Sequence, residues 1–220
     1  MLIIREVAGN YLGIRRNPQF IPWVKPPYDA VMNAPHSSYT RLAMLLHWLI
    51  AILMIGNIAL IWTASYIPDD SVRPFIDTHK SIGITVLGLA ILRLLWRYAN
   101  PPPPMPETYR PLEKQAAHAA HWVLYVLMFA MPLSGWAHDS AWSAAGTHPM
   151  FLFGLFQWPR LGFLQGFDPK TQDWWHDTLG LVHTSLAYVL IALLVLHILG
   201  ALKHQFIDKD REFQRMLPWG

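Results

Sequence analysis

Four long apolar stretches constrain this chain more than any other feature. A bilayer core takes about 20 residues of helix to cross, and residues 42–64, 77–98, 116–137 and 175–204 each reach that length. A backbone in lipid must satisfy its own hydrogen bonds, so the pattern predicts an all-α fold, an integral membrane four-helix bundle. The first stretch is interrupted only by His47 and Asn57, and the second ends in Arg93 and Arg97. The third carries Pro132, which predicts a kink. Composition points the same way: 53% of residues are hydrophobic, only 14% are charged, and the mean hydropathy is +0.24. A soluble domain carries about a quarter charged residues, so a disordered chain, a nucleic-acid-binding domain and an ordinary cytoplasmic enzyme are excluded. The absence of cysteine removes disulfides, zinc ribbons, iron–sulfur clusters and thiolate nucleophiles.

The positive charges predict orientation. They collect before the first span (Arg5, Arg15, Arg16, Lys25, Arg41), between the second and third (Arg93, Arg97, Arg110, Lys114) and after the fourth (Lys203, Lys209, Arg211, Arg215). Both termini are therefore expected in the cytoplasm of a bacterial inner membrane, with a long aromatic loop from His138 to Trp174 outside and resting at the interface. No cleavable signal peptide is expected. Residues 1–38, with Pro18, Pro22, Pro26, Pro27 and Pro35, read as a Pro-rich cytoplasmic extension, and 39–218 as the membrane domain. Pro101 to Pro104 form a stiff linker.

Histidine is costly inside a membrane helix and marks a functional candidate. The chain has 11. His47 lies near the cytoplasmic end of the first span, and His79 near the outer end of the second. The fourth span holds His183 and His197, 14 residues apart, which is roughly 21 Å along a helix and nearly four whole turns, so both project from one face. Depth pairs His47 with His197 and His79 with His183. Two opposed imidazole pairs, one above the other, are what two bis-histidine haems stacked across a bilayer require. Zinc fits less well, because its three or four ligands must converge at one depth. Ala43, Ala51, Gly83, Gly180, Ala187, Gly200 and Ala201 lie about one turn from these histidines. They leave room for a porphyrin plate, although small residues are common at membrane helix contacts anyway. His176 is the alternative outer ligand. His118 and His121 read as headgroup-facing residues, with a quinone pocket as the second option. His204 is the candidate for proton transfer to a bound quinone. His36, His138 and His148 read as solvated loop residues.

The stretches Leu45-Leu46-His47-Trp48, Arg73 to Gly83 (RPFIDTHKSIG), His118-Ala119-Ala120-His121, His183 to His204 and Phe213 to Pro218 together resemble the bacterial cytochrome b561 family. These are four-helix dihaem membrane cytochromes that include the cytochrome b subunits of Ni/Fe hydrogenases. The resemblance covers about Tyr39 to Pro218, and the two-histidine fourth span is its most specific part. It implies haem b as cofactor, with axial ligand pairs His47–His197 and His79–His183. It also implies electron transfer between an outer donor and quinone, some members being superoxide oxidases that reduce ubiquinone.

Two functions follow as expectations. One is a quinone-linked oxidoreductase acting alone, with Lys80, Arg73, Arg160 and Lys170 either drawing an anion to the outer face or serving as surface charge balanced by Asp69, Asp70, Asp77, Asp168 and Asp173. The other is a haem relay and anchor subunit of a larger respiratory complex with a hydrogenase, dehydrogenase or c-type cytochrome partner. A haem-free transporter lacks the repeats expected of one.

Overall fold

A computed structural model describes residues 39–105, 109–210 and 213–217. The expected Pro-rich extension, residues 1–38 with His36, lies outside the described residues, as do Arg211 and Pro218.

Four helices are long and apolar enough to cross a membrane: α1 (Arg41–Ala64), α2 (Arg73–Ala99), α3 (Pro111–Ser140) and α5 (Pro169–Phe206). Between α3 and α5 come a hairpin of β1 (Phe151–Leu152) and β2 (Phe156–Gln157) and the short α4 (Gly162–Gln165). The helices alternate in direction. One end of the bundle, the terminal end, gathers the starts of α1 and α3, the ends of α2 and α5, and residues 213–217. The other, the loop end, carries the hairpin.

Three of the helices begin several residues before their apolar runs, and local chemistry explains why. Asp168 caps α5 by accepting from the backbone N–H groups of Lys170 and Thr171, and Pro169 occupies the first turn, where a missing N–H costs nothing. Pro111 opens α3, and Glu113 reaches back to accept from the Arg110 N–H at 3.0 Å, as in a capping box. Pro74 stands in the first turn of α2. At the start of α1 the Thr40 hydroxyl accepts from the Ala43 N–H. Pro132 lies inside α3 without ending it.

The packed core is Ile50 of α1, Val86 and Ala90 of α2, and Tyr125 and Met128 of α3. α1 packs along α2, α2 along α3, and α3 along α5; α1 and α5 make no comparable backbone contact among the described residues. α5 buries a single residue, Leu190, over its 38 residues. Ile52, Trp62, Leu95, Val126 and Leu196 face outward, exposed. That inverts the arrangement of a soluble protein and suits a surface solvated by lipid tails.

The loop end is tied down by buried polar groups. Asp139, only 5% exposed, pairs with the Lys80 ammonium and accepts from Arg160 Nε at 2.8 Å. Arg160 also donates to the carbonyls of Ala145 and His148. Two of the four outer cations are thus committed to one buried carboxylate, which was not among the balancing acids expected from sequence. Arg73 pairs with Asp77 at 3.2 Å. Ser81, fully buried, accepts from the Phe153 N–H and lies within reach of the Phe151 carbonyl, which docks the hairpin on α2 two residues from His79. In the hairpin turn Phe153 (φ 49°) and Gly154 (φ 71°) both take left-handed backbone, which glycine adopts without penalty. At the terminal end, Trp48 Nε1 donates to the Met216 carbonyl at 2.7 Å and Arg215 donates to the Pro104 carbonyl at 2.9 Å. The C-terminal segment is thereby folded back on α1.

Candidate metal centre

α5 carries two histidines on one face, and each meets a histidine from across the bundle. Near the terminal end the rings of His47 (α1) and His197 (α5) lie 6.3 Å apart between centroids, inclined at 68°. Near the loop end the rings of His79 (α2) and His183 (α5) lie 6.1 Å apart, inclined at 89°. A metal–imidazole nitrogen bond is about 2.0 Å, and two such bonds in line, with a ring radius at each end, span about 6 Å. Both separations match one metal ion held between two opposed imidazoles. His47 and His197 are thereby the only described link of this kind across the α1–α5 gap, where backbone packing is sparse.

The outer pair has an orienting partner. Ser134 Oγ donates to the Met131 carbonyl at 2.9 Å and lies 3.0 Å from His183 Nδ1. Its one proton is committed, so it accepts from the imidazole, leaving the His183 Nε2 lone pair free for a metal. Gly135 makes room for this ring: a Cβ there would stand 2.9 Å from His183 Cε1. The His79 carbonyl accepts from Asn57 Nδ2 at 3.2 Å, while His79 Nδ1 and Asn57 Oδ1 are buried with no hydrogen-bond partner among the described residues. A built Cβ at Gly83 or Gly200, one turn from His79 and His197, meets nothing within 4 Å. Gly180 differs: its missing Cβ accommodates the ring of His138 at 2.9 Å.

The remaining histidines separate by environment. His176 stacks on His138 at 3.9 Å, and each Nδ1 lies within 2.9 Å of the other's carbonyl oxygen. Both Nδ1–H groups are therefore donors, and His183, not His176, faces His79. His138 is not the solvated loop residue expected, because α3 continues through Ser140. His148 is exposed in the loop. His118 is exposed and donates from Nδ1 to the Lys114 carbonyl at 3.1 Å. His121 departs from the headgroup-facing reading, for its ring meets His197 at 5.6 Å. The HxxH spacing was visible in the sequence, but no signal there placed one member against the inner pair. His204 stacks on Tyr109 at 4.3 Å, with Nδ1 2.8 Å from Asp208 Oδ2. Asp208 Oδ2 also accepts from Lys203 Nζ at 2.6 Å, and this hydrogen bond holds the Asp208 carboxyl below its usual range.

The model of one protein family, described as prokaryotic cytochrome b561, matches residues 38–219. This chain belongs to the prokaryotic cytochrome b561 family. Among its relatives, "Cytochrome b561 homolog 2" of Escherichia coli (strain K12) is 38% identical over 189 residues, 84% of this chain and 93% of that protein. The "Probable superoxide oxidase CybB" of Yersinia pestis is 32% identical over 188 residues, 83% of this chain and 97% of that protein. "Cytochrome b561 homolog 1" of Escherichia coli (strain K12) is 25% identical over 186 residues. The four apolar helices are those of a bacterial membrane cytochrome, and family membership implies haem b and membrane electron transfer. The imidazole pairs, with the Ser134 contact that frees Nε2, supply the donor set that such a group requires.

Proposed function

We propose that this b561-family cytochrome carries electrons across the membrane through two haems b, one held by His47 and His197 and the other by His79 and His183. The observation that carries this reading is the two imidazole pairs, 6.3 Å and 6.1 Å between ring centroids, set 14 residues apart on α5. Haem b supplies a one-electron carrier at each level when bound. Each histidine pair would supply two imidazole ligands to one haem, which would favour outer-sphere electron transfer over oxygen binding. α5 packs sparsely against α1, which would leave room between these two helices for such a group. In the proposed arrangement the terminal end faces the cytoplasm of a bacterial inner membrane, and 39–218 is the working domain behind a Pro-rich extension.

The donor is placed at the loop end and a quinone at the terminal end. Superoxide is the donor suggested by the Yersinia relative's name. Each of two superoxide anions releases one electron and leaves as dioxygen. One quinone takes both electrons and two protons, turning two carbonyls into hydroxyls. His204 is positioned by Tyr109 and Asp208 to pass a proton at this end.

A second reading draws on the loop end. Lys80 and Arg160 are consumed by Asp139, while Phe153, Leu155 and Phe163 stand exposed. An apolar rim with few free cations suits an electron-donating partner protein from a larger complex better than an anion. Stopped-flow reduction of the purified, haem-loaded protein by superoxide, with a short-chain ubiquinone as acceptor, separates the two. Fast reduction followed by quinone-dependent reoxidation supports the first. Reoxidation by quinone without reduction by superoxide supports a partner as donor, exchange with neither supports a relay with no substrate chemistry of its own, and a purified protein that holds no haem overturns both.

A further inference from the structure

A cavity of about 170 Å³ opens at the terminal end between α2, α3 and the segment that joins them. Arg97, His118, His121, Trp122 and Tyr125 line it, with Pro102 to Met105 forming the opposite wall. A pocket of about 150 Å³ accepts one benzene ring, so this one has room for a single substituted six-membered ring. Its walls are mixed. Trp122 offers a ring face, the buried Tyr125 ring behind it lies 6.2 Å away between centroids and carries the Arg93 and Arg97 guanidinium groups, and the prolines offer rigid apolar surface. Arg97, whose guanidinium carbon sits 5.4 Å from the centre of the Tyr125 ring, offers fixed N–H donors. His118 spends its Nδ1–H on the Lys114 carbonyl, which leaves Nε2 as an acceptor. One side of the cavity can therefore donate to a carbonyl and another can accept from a hydroxyl.

Two further relationships narrow the occupant. His121 is shared: it lines the cavity and touches the ring of His197 at 5.6 Å. The cavity wall is thus one side chain removed from the inner histidine pair. Trp122 is 57% exposed on the outward face of α3, so the cavity borders the lipid, and an apolar tail has a route out along the helix. A ring with opposed carbonyls, reducible to hydroxyls and carrying a lipid-soluble tail, is a quinone.

We propose that this cavity is the ring site for quinone, with Arg97 donating to one carbonyl of the oxidised ring and His118 Nε2 accepting from a hydroxyl of the reduced one. The inference rests on the reading above, in which quinone is the acceptor at the terminal end, and it adds where the ring sits. Tyr109, the residue stacked on His204, lies four residues beyond Met105 in the sequence.

The test uses the full-length, haem-loaded protein in lipid nanodiscs, reduced beforehand, with decylubiquinone as oxidant and the haem absorbance as readout. Arg97→Gln and His118→Ala are each expected to raise the apparent KM for decylubiquinone at least tenfold, with haem content and reduced spectrum unchanged. Photolabelling with an azidoquinone, followed by peptide mapping, is expected to mark residues 102–105 or 118–125. Unchanged KM in both variants with label confined to other segments overturns the location and leaves quinone as the acceptor. Failure of decylubiquinone to oxidise the wild-type protein overturns the acceptor reading and the location with it. Loss of haem from Arg97→Gln assigns the cavity to a porphyrin edge, and loss of a co-purifying phospholipid with unchanged KM assigns it to a lipid headgroup; either result overturns the proposal.

Discussion

Ser134 fixes which nitrogen His183 presents to the centre of the bundle. Its hydroxyl proton goes to the Met131 carbonyl at 2.9 Å, so the 3.0 Å contact with His183 is an imidazole N–H donated from Nδ1. Nε2 is left as the lone-pair donor. Among the described residues the facing His79 has no such partner on Nδ1, so the two ligands of the proposed outer haem are electronically unequal.

Ser134→Ala removes this acceptor. An imidazole that donates a hydrogen bond is the more basic ligand and stabilises oxidised iron, so the variant's outer haem is expected to have a higher midpoint potential. The shift is bounded at roughly 40 mV, the one-electron equivalent of about 1 kcal/mol for one hydrogen bond. Spectroelectrochemical titration measures it. Ser134→Thr keeps the hydroxyl and is expected to restore the wild-type value, which a purely structural role would not require.

The buried Lys80–Asp139–Arg160 cluster holds the loop end together. Asp139→Ala leaves two cations in a nearly dry site, a change that costs about 3–5 kcal/mol when a buried pair is broken. A clearly lowered thermal midpoint in detergent is expected. Replacing all three residues together by apolar side chains of similar volume is expected to recover most of the loss, because no charge is then left without a partner. Differential scanning fluorimetry of the single and triple variants checks both results.

The cap of α5 gives a pH dependence with a defined sign. The Thr171 hydroxyl and backbone N–H groups hold the Asp168 carboxyl below its ordinary range. A depressed folded-state pKa contributes stability that is fully present above the unfolded value of about 3.9 and is lost as pH falls through the lower folded value. Wild type is therefore expected to melt above Asp168→Ala at pH 6, with the difference closing below about pH 4. A gap that stays constant from pH 6 to pH 3 contradicts the carboxylate cap.

Much of this was legible in the residues themselves. Twenty-residue apolar runs fix the four spans because lipid leaves the backbone few alternatives. The 14-residue spacing on α5 fixes two histidines to one face because the helical repeat is rigid. Counting apolar residues missed the polar first turns of α2, α3 and α5, although Asp168-Pro169 and Arg110-Pro111 carry helix-start signals. It also put His138 in a loop. The contacts hidden from sequence are those set by rotation between neighbouring helices: Gly135 under His183, Gly180 under His138, and His121 against His197. A periodic pattern gives the face of one helix, but not which residue of the next helix it meets. The Lys80–Asp139–Arg160 cluster was hidden for another reason, since its members come from α2, α3 and the loop before α4.

The central claim is that four histidines hold two haems at two levels. The haem-to-polypeptide ratio of the purified protein, measured by pyridine haemochrome absorbance for wild type, His197→Ala and His183→Ala, tests it most directly. The account predicts about two haems in wild type and about one in each variant, a full occupancy with two axial imidazoles per iron. The residual haem is expected to differ in reduced α-band position between the variants, since each retains a different pair. Equal haem content in all three proteins, or a single haem in wild type, contradicts the account.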